Sequence, residues 1–452
     1  DAAALFQPHV PVDADAGERR HFLAAQARRP PPSPVRQADR LRAQPFPARA
    51  QEIAELALAG LQQWRRRAGR EGAHGPRIIP GLHKPGKAGH NGPLNDIGTA
   101  MQAAILKAFG SPLAIEILPD PEPGPGEVVV DIVAAPVLAY AGEVYSGARQ
   151  YRLDLPQAPG AGAIARVRKL GPDATRLKPG DWVFCDPTVR SRDDALNPDI
   201  LLQGLTAGND GGMILQRHFR HGSFAERMRL PLENVHPLGA LDEREAPRWA
   251  ALGRMLVPYG GLLAGNLQAG ETLLVNGATG NFGSAGVAVG LAMGARRVVA
   301  AGRSAKALEA LKHRHGDRLG TVALSGDAAQ DGAALREAAQ GAIDMVLDLL
   351  PPAADPRWVR TAALSLRGQG RIVLMGGVGM QGGPDLELPY AWLMRNGITL
   401  RGQWMYPREA PGRLAGMIHA GLLALDQYEV AGFPLAKANE AVAHAAAHAG
   451  SS

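Results

Sequence analysis

The stretch "LLVNGATGNFGSAG", residues 273–286, decides the fold class of this chain. It joins an apolar run, typical of a buried strand, to a segment of small residues typical of a helix. Gly277, Gly280 and Gly283 stand at the junction. Glycines there allow a tight turn, a close approach of a pyrophosphate to the backbone, and a helix packed tightly on the strand. The stretch predicts a dinucleotide-binding turn with the pyrophosphate at the helix N-terminus.

The spacing of these glycines is Gly-x-x-Gly-x-x-Gly rather than the usual Gly-x-Gly-x-x-Gly, so an ordinary strand-to-helix turn is the alternative. The following segments favour the cofactor, because strands and helices alternate as in a doubly wound parallel sheet. The predicted strands are "ETLLVNG", "RRVVAAG", "TVALSG", "AIDMVLDLL", "GRIVLMGG" and "GITLRGQW". The predicted helices cover residues 281–293, 304–315, 332–340 and 357–366.

The end of the second predicted strand discriminates between nicotinamide cofactors. NAD-binding chains carry an acidic residue there for the ribose 2′-hydroxyl, but this chain has Gly302, Arg303 and Ser304, with Lys306 close by. Arg303 can pair with a 2′-phosphate and Ser304 can donate a further hydrogen bond. This pattern predicts NADP(H). The alternative is that Arg303 is a solvated loop residue and Ser304 only a helix N-cap.

From Met101 onward the chain resembles the medium-chain dehydrogenase/reductase superfamily, in its quinone-oxidoreductase-like branch. The matching stretches include "GEVVVDIVAAPV", "LPQAPGAGAIARVRKLGPDATRLKPGDWVF", "HGSFAERMRLPLENVHPL" and the glycine stretch itself. The resemblance implies an α/β fold with a GroES-like β-rich catalytic domain at 101–235 and a Rossmann NADP-binding domain at 236–378. Residues 379–452 are expected to hold the end of the Rossmann sheet and the return to the catalytic domain. The resemblance also implies a homodimer.

Ligands bind outside the carboxyl ends of parallel strands, which extends the predicted cofactor site beyond the glycines. The resemblance adds residues 258–260, which enter the Rossmann domain. The predicted cofactor-binding residues are Gly277, Ala278, Thr279, Gly280, Asn281, Phe282, Gly283, Gly302, Arg303, Ser304, Leu349, Gly376, Gly377 and Val378.

The positions of catalytic zinc in the resembling family carry no ligands here. Where zinc-dependent relatives have a cysteine, this chain has Ala139–Gly142, and in place of a Gly-His-Glu it has Gly160, Ala161 and Gly162. Catalytic zinc needs about three protein ligands. The four-cysteine structural zinc lobe is also absent, since Cys185 is the single cysteine. We therefore expect no metal, and we expect Cys185 to be a buried strand residue rather than a nucleophile.

A zinc-independent reductase still has to protonate its product. Tyr140 is the first candidate, because it lies where zinc relatives keep a ligand and a phenol can donate a proton. Tyr145 and His221 are weaker candidates, and bulk water is a further one. A packed aromatic residue is the alternative for Tyr140. The stretch 186–220 either borders the substrate cleft or is a solvated surface loop.

Residues 1–100 differ from the rest of the chain. They hold 15 Lys and Arg against 9 Asp and Glu, whereas residues 101–452 hold 34 of each. Apart from an amphipathic helix predicted at 51–67, they lack hydrophobic periodicity. We expect an upstream segment foreign to the native protein or a disordered tail, and a basic tail that binds nucleic acid is the less favoured alternative. The end at "AHAAAHAGSS" leads us to expect a truncated C-terminus.

Together these features predict an NADPH-dependent, zinc-independent oxidoreductase acting on a quinone or an α,β-unsaturated carbonyl. The alternatives are an alcohol dehydrogenase for a small alcohol or aldehyde, and a catalytically weak NADPH-binding protein that works by interaction. No apolar run reaches the ~18 residues of a membrane helix, and no secretory signal is recognisable. With a single cysteine, the pattern favours a cytoplasmic protein.

Overall fold

In the computed structural model, which describes residues 100–448, the strands form four sheets. The first ten strands are β1 (Ala100–Ile105), β2 (Ala114–Pro119), β3 (Glu127–Ala134), β4 (Ala163–Leu170), β5 (Trp182–Cys185), β6 (Thr188–Arg190), β7 (Ile200–Leu202), β8 (Thr206–Ala207), β9 (Arg227–Pro231) and β10 (Val235–Pro237). The remaining strands are β11 (Thr272–Asn276), β12 (Arg297–Gly302), β13 (Leu319–Ala323), β14 (Ile343–Asp348), β15 (Leu366–Leu374) and β16 (Thr399–Gly402).

Eleven α-helices lie between or after these strands in the described part of the chain. They are α1 (Ala141–Tyr145), α2 (Asp210–His218), α3 (Ala246–Trp249), α4 (Ala251–Ala264), α5 (Asn281–Ala292), α6 (Ala305–His315), α7 (Ala328–Ala339), α8 (Pro356–Leu364), α9 (Tyr390–Asn396), α10 (Ala410–His419) and α11 (Ala438–Ala447).

The first half of the described chain forms the antiparallel lobe, β1 to β10 with α1 and α2. Its main sheet has the strand order β10-β5-β4-β3-β9, and β1 pairs with β2 in a separate hairpin. Valine-rich strands suit this sheet because branched side chains pack well on a pleated surface. Val128, Val130, Val183 and Leu230 are fully buried in one apolar cluster. The β-rich half predicted from the sequence is confirmed.

The second half forms the parallel lobe, β11 to β16 with α4 to α10. Its sheet has the order β13-β12-β11-β14-β15-β16, and every pair in it is parallel. The chain moves outward from β11 to β13 and then returns to place β14 on the other side of β11. Ligands bind at such a switch point, outside the carboxyl ends of the strands. The predicted doubly wound parallel sheet is confirmed.

Helix boundaries differ from the prediction where capping residues decide them. The helix predicted to begin at Gly332 begins at Ala328, because Asp327 accepts hydrogen bonds from the N–H groups of Ala329 and Gln330. It ends before Gln340, which adopts a left-handed conformation with φ of 50°. Ser304, predicted as the first residue of a helix, is instead the N-cap of α6. Capping side chains satisfy N–H groups that the first helical turn leaves free.

About half of the stretch 186–220 forms regular secondary structure rather than a loop. It contains the three short strands β6, β7 and β8, which form an antiparallel sheet, and the helix α2. Val189, Leu201, Ala207 and Phe219 form a small buried core beneath them. The solvated-loop interpretation is wrong for these strands and this helix, because strands of two or three residues leave too little periodicity in the sequence to be recognised. It holds for residues 192–197 between β6 and β7, which are exposed and have no regular structure.

The predicted helix at 51–67 and the remainder of residues 1–99 lie outside the described residues, and the domain boundaries stay a prediction. Among the described residues, no helix combines the length and apolar character needed to cross a membrane.

Candidate active site

The glycine turn joins β11 to α5 in the conformation that its sequence requires. Gly277 has φ of +83°, a region that favours glycine. Its N–H donates to the carbonyl of Ala301 on β12 at 3.1 Å, and the N–H of Ala278 donates to the same carbonyl at 2.9 Å. A Cβ on Gly277 would lie 3.2 Å from the carbonyl group of Leu349, which follows β14. The turn is therefore fixed against the two neighbouring strands.

Gly283 and Gly280 are required for different reasons. A Cβ on Gly283 would lie 2.0 Å from the carbonyl oxygen of Gly277, so only glycine lets α5 approach the turn. Gly280 is the N-cap of α5, with φ of −87°. A Cβ there would meet only the Gly277 oxygen, at 3.5 Å. The protein leaves open space beside Gly280, at the positive end of the helix dipole, and this space suits a pyrophosphate.

A cation that the sequence interpretation missed lies against the first turn of α5. Arg254, on α4, donates from Nη2 to Oδ1 of Asn281. Its guanidinium carbon also lies 5.4 Å from the ring centroid of Tyr428. Because Arg254 is 27 residues from Asn281 in the sequence, only the packing of α4 beside α5 brings the two together. The contact adds positive charge next to Phe282 and the rest of the first helical turn.

The end of β12 presents Arg303 and Ser304 beside the turn. A Cβ on Gly302 would lie 2.6 Å from Cγ2 of Thr279, so the strand end packs directly on the glycine loop. Arg303 is exposed, and its guanidinium carbon lies 5.4 Å from the ring centroid of Trp358 on α8. Ser304 accepts a hydrogen bond from the N–H of Ala307 at 3.3 Å. Ser304 is therefore a cap, and its hydroxyl proton is still free to be donated.

The carboxyl ends of β14 and β15 meet the same turn. The Leu349 N–H donates to the Asn276 carbonyl at 3.0 Å, and the Gly377 N–H donates to the Leu350 carbonyl at 2.8 Å. A Cβ on Gly376 would lie 2.6 Å from the Leu350 oxygen. Val378, the last predicted residue of this edge, packs against the core between the sheet and α7 and α8. The structure thus brings the predicted cofactor residues to one edge of the parallel sheet.

Two buried polar residues at this edge were not predicted. Asn276 closes β11 and Asp348 closes β14, and Asn276 Nδ2 donates to Asp348 Oδ1 at 2.8 Å. Burial raises the pKa of Asp348 from 3.8 to about 7, although hydrogen bonds from Asn276 and the Leu350 N–H oppose the shift. The available signal was a polar residue ending each apolar strand, in "TLLVN" and "IDMVLD".

Tyr140 lies in the antiparallel lobe as the N-cap residue of α1. Burial raises the pKa of Tyr140, so its phenol keeps its proton at neutral pH. Its ring meets that of Tyr151 edge to face, with centroids 6.4 Å apart. Both rings join an apolar cluster that includes Ala161, one of the positions where the resembling family keeps a zinc ligand.

Tyr145 and His221 occupy other surroundings. Tyr145 is buried on α1, with its ring centroid 6.5 Å from that of Phe224, and burial raises its pKa. His221 Nδ1 accepts a hydrogen bond from the Ala158 N–H at 3.1 Å. Burial, and then the charge of nearby Arg220, lower the pKa of His221, which favours the neutral ring. Both residues therefore have structural partners.

Within residues 100–448, no three His, Cys, Asp or Glu side chains are grouped so that they could hold a metal ion. The residues at the positions of catalytic zinc do not fit that ion, because Ala139, Ala161 and the neighbouring glycines have no donor side chain. Cys185 lies fully buried on β5, as predicted. Burial and the charge of Asp186 raise the pKa of its thiol, which disfavours the nucleophilic thiolate.

The comparison with family models finds one match that covers part of the antiparallel lobe. Residues 124–240 match the alcohol dehydrogenase GroES-like domain. This range contains β3 to β10 and therefore the whole five-stranded sheet.

Curated relatives extend the likeness over both lobes. An alcohol dehydrogenase of Rhizobium meliloti (strain 1021) is 29% identical over 318 residues, which are 68% of this chain and 85% of the relative. An acryloyl-coenzyme A reductase of Metallosphaera sedula is 26% identical over 209 residues, 44% of this chain and 58% of the relative.

Solved structures share the fold. A thermostable alcohol dehydrogenase from Pyrobaculum aerophilum matches with a TM-score of 0.59 at 23% identity, covering 77% of this chain and 96% of that one. A zinc-binding dehydrogenase from Sinorhizobium meliloti 1021 bound to NADP matches at 0.59 and 18% identity, over 73% and 91%. A short chain alcohol dehydrogenase from E. coli CFT073 with NADH matches at 0.61 and 18% identity, over 76% and 95%.

The likeness therefore covers the GroES-like segment and continues into the parallel lobe of this chain. These likenesses support the medium-chain dehydrogenase/reductase superfamily and an alcohol-dehydrogenase-like oxidoreductase.

Proposed function

We propose that this oxidoreductase uses NADPH to reduce a quinone or an α,β-unsaturated carbonyl compound without a metal ion. The observation that carries the proposal is the end of β12, where Arg303 stands in place of a carboxylate. Bound at this edge, the nicotinamide would supply a hydride, and the protein would supply orientation and electrostatic stabilisation.

The residues present fit a dinucleotide. The open space beside Gly280 accepts a pyrophosphate at the start of α5, and the N–H groups of the first helical turn face it. Arg254 adds positive charge at the same place, through its contact with Asn281. Structurally similar proteins occur with NADP and with NADH, so the choice between the two rests on residues of this chain.

Arg303 supports NADP(H) in that choice. Among the described residues no carboxylate pairs with its guanidinium, which rests near the ring of Trp358. A 2′-phosphate is the ligand that a guanidinium beside the ribose binds best, because two N–H groups can reach two oxygens. The Ser304 hydroxyl can donate to the same phosphate. A carboxylate at position 303 would instead repel the 2′-phosphate.

The proposed substrate class follows from the residues that occupy the zinc-ligand positions of the resembling family. Ala139, Ala161 and Gly162 offer no ligands for a Lewis-acidic metal. Quinones and conjugated carbonyls accept a hydride more readily than simple ketones do, so they suit a site of this kind. The acryloyl group in the name of one relative is itself an α,β-unsaturated acyl group, which supports the conjugated carbonyl.

We further propose a cytoplasmic homodimer that binds a small-molecule substrate. Exposed apolar side chains lie at the β16 edge of the parallel sheet: Leu400 is 45% exposed, and Met394 and Tyr390 on α9 are 62% and 82% exposed. An exposed strand edge of this kind favours pairing with another chain. Light scattering on the full chain, compared with an L400K variant, measures the oligomeric state. A monomer in the unaltered chain would contradict the dimer.

The first test is a titration of the full 452-residue chain with NADPH and NADH, followed by cofactor fluorescence. We expect NADPH to bind far more tightly. Turnover of NADPH is then measured with p-benzoquinone and trans-2-hexenal. Equal affinity for both cofactors would contradict the NADP assignment. Metal-dependent oxidation of a small alcohol would indicate an alcohol dehydrogenase, and cofactor binding without any turnover would favour a protein that works by interaction.

A further inference from the structure

The side chain of Arg149 lies against two tyrosine rings in the antiparallel lobe. Its guanidinium carbon is 4.1 Å from the ring centroid of Tyr140 and 5.8 Å from that of Tyr151. The Arg149 side chain is only 17% exposed. We infer that Arg149 is a catalytic residue whose positive charge stabilises the substrate oxygen that becomes anionic during reduction. This inference rests on the proposed function and names the group that would replace a metal.

The position of Arg149 places it near the junction of the two lobes. The rings of Tyr140 and Tyr151 pack in one cluster with Ala161 and Met405. Met405 belongs to the parallel lobe, and it also packs against the largest apolar cluster, most of whose residues belong to that lobe. A cluster that touches both lobes in this way lies where a cofactor held by the parallel lobe and a substrate held by the antiparallel lobe would meet.

Arg149 remains a cation in these surroundings. Burial by itself lowers the pKa of its guanidinium, but the hydrogen bond with Tyr151 and the negative charge of Glu143 outweigh burial and raise it. Glu143 accepts from Nε at 3.1 Å, and its own side chain is 52% exposed. Because its carboxylate lies in contact with water, its charge is screened more strongly than that of the partly buried guanidinium.

The chemistry of the proposed reaction requires such a charge. When a hydride adds to the β carbon of a conjugated carbonyl, the electron pair of the C=C bond moves toward the carbonyl and leaves a negative oxygen. A proton then adds to the α carbon. A quinone likewise leaves a hydroquinone anion, which takes up one proton. In both cases the group to stabilise is an oxyanion, and a preorganised cation in a water-poor site is effective there.

The positive charge of Arg149 also acts on the Tyr140 phenol. The Arg149 cation lowers the pKa of the Tyr140 phenol, although burial raises it more. If the phenol gives its proton to the α carbon, the phenolate that remains lies beside the guanidinium. Arg149 would thus stabilise the substrate oxyanion first and the phenolate afterwards.

Three variants of the full chain test this inference: R149Q, R149K and E143Q. We expect R149Q to lower kcat for trans-2-hexenal about 10²- to 10³-fold, the usual cost of removing one oxyanion-stabilising group. The Kd for NADPH should stay within about twofold, because the glycine turn is untouched. R149K should recover part of the loss. E143Q should keep kcat within about threefold, because it removes the ion pair and leaves the guanidinium in place.

A second readout is independent of turnover. In the unaltered chain, p-nitrophenol should bind as its yellow phenolate at a pH where the free compound is largely neutral, because Arg149 stabilises the anion. R149Q should abolish this spectral shift, and E143Q should keep it. Absence of the shift in the unaltered chain, unchanged kcat in R149Q, or equal losses in R149Q and E143Q would each overturn the inference. Failure of NADPH to bind at all would instead contradict the proposed function.

Discussion

Asn276 and Asp348 join the carboxyl ends of two neighbouring parallel strands through a buried hydrogen bond of 2.8 Å, from Asn276 Nδ2 to Asp348 Oδ1. The Leu350 N–H donates to the same carboxyl group. The glycine turn begins one residue after Asn276, and the loop that contacts it begins one residue after Asp348. The pair therefore fixes the spacing of the two segments that would enclose a cofactor.

The raised pKa of Asp348 predicts how stability depends on pH. Its folded value of about 7 exceeds the usual value of 3.8, so the folded state binds the proton more tightly than the unfolded state does. The stabilisation is complete below about pH 4 and is lost as pH rises through about 7. The difference between the two values corresponds to about 4 kcal/mol at most.

Replacing Asp348 by Asn removes this titration. The new amide can still accept a hydrogen bond from the Leu350 N–H. It can also donate one to Asn276, provided that the Asn276 side chain turns to present its oxygen. The fold should therefore persist. We expect the free energy of unfolding of the unaltered chain, from urea denaturation, to fall relative to that of D348N as pH rises from 4 to 7. The exposed Asp385→Asn is the matched control and should follow the unaltered chain. Parallel pH curves for D348N and the unaltered chain would contradict the prediction.

Gly280 and Gly283 offer a pair of alanine substitutions with opposite consequences. G283A places a methyl group 2.0 Å from the Gly277 carbonyl oxygen and should cost about 1–3 kcal/mol or more in stability. The methyl group of G280A would meet no protein atom closer than 3.5 Å, and the φ of −87° at this position suits alanine. We expect G280A to keep its melting temperature but to bind NADPH at least about tenfold more weakly, because the methyl group enters the space for the pyrophosphate.

Thermal unfolding and NADPH titration of both variants check this prediction. The result that would contradict it is a G280A variant that binds NADPH as tightly as the unaltered chain. The open space beside Gly280 would then have no ligand to explain it.

The sequence predicted those parts of the fold that depend on neighbours along the chain. The strands of the parallel lobe and the turn around Gly277 follow from local apolar runs and glycine conformation. Asp348 was missed because its partner Asn276 is 72 residues away. The contact between Arg149 and Tyr140 was missed for a related reason, since a loop conformation rather than a periodic pattern creates it. Capping residues such as Asp327 moved helix ends by several residues.

Arg303 can be tested by its selectivity between cofactors. R303Q removes the charge that would pair with a 2′-phosphate, and charge-assisted bonds of this kind contribute about 1.5–3 kcal/mol. We expect R303Q to bind NADPH about 10- to 100-fold more weakly and NADH with unchanged affinity. Arg357→Gln is the control, because Arg357 is also exposed but pairs with Asp355. An equal loss of affinity for NADPH and NADH would show that Arg303 acts through the fold and not through contact with the 2′-phosphate.

Tyr406 and Asp186 connect the two lobes and give the last prediction. The Tyr406 hydroxyl, in the parallel lobe, donates to Asp186 Oδ1 at 2.7 Å, and both residues are buried. Burial and the charge of Asp186 raise the pKa of Tyr406, so the hydroxyl keeps the proton that it donates. The same Oδ1 also accepts from the Thr188 N–H at 2.8 Å.

Y406F leaves Asp186 with fewer donors in a buried place, which should destabilise the chain by about 1–3 kcal/mol. The midpoint of urea denaturation should fall while its slope stays constant, because the surface exposed on unfolding is unchanged. Tyr390→Phe is the control, since Tyr390 is 82% exposed and the substitution keeps the ring that the proposed dimer would use, so that loss of this hydroxyl should leave the midpoint unchanged. If Y406F and Y390F unfold at the same urea concentration, the hydrogen bond between the lobes adds no net stability. A changed slope would instead show that the two lobes unfold separately once the hydroxyl is removed.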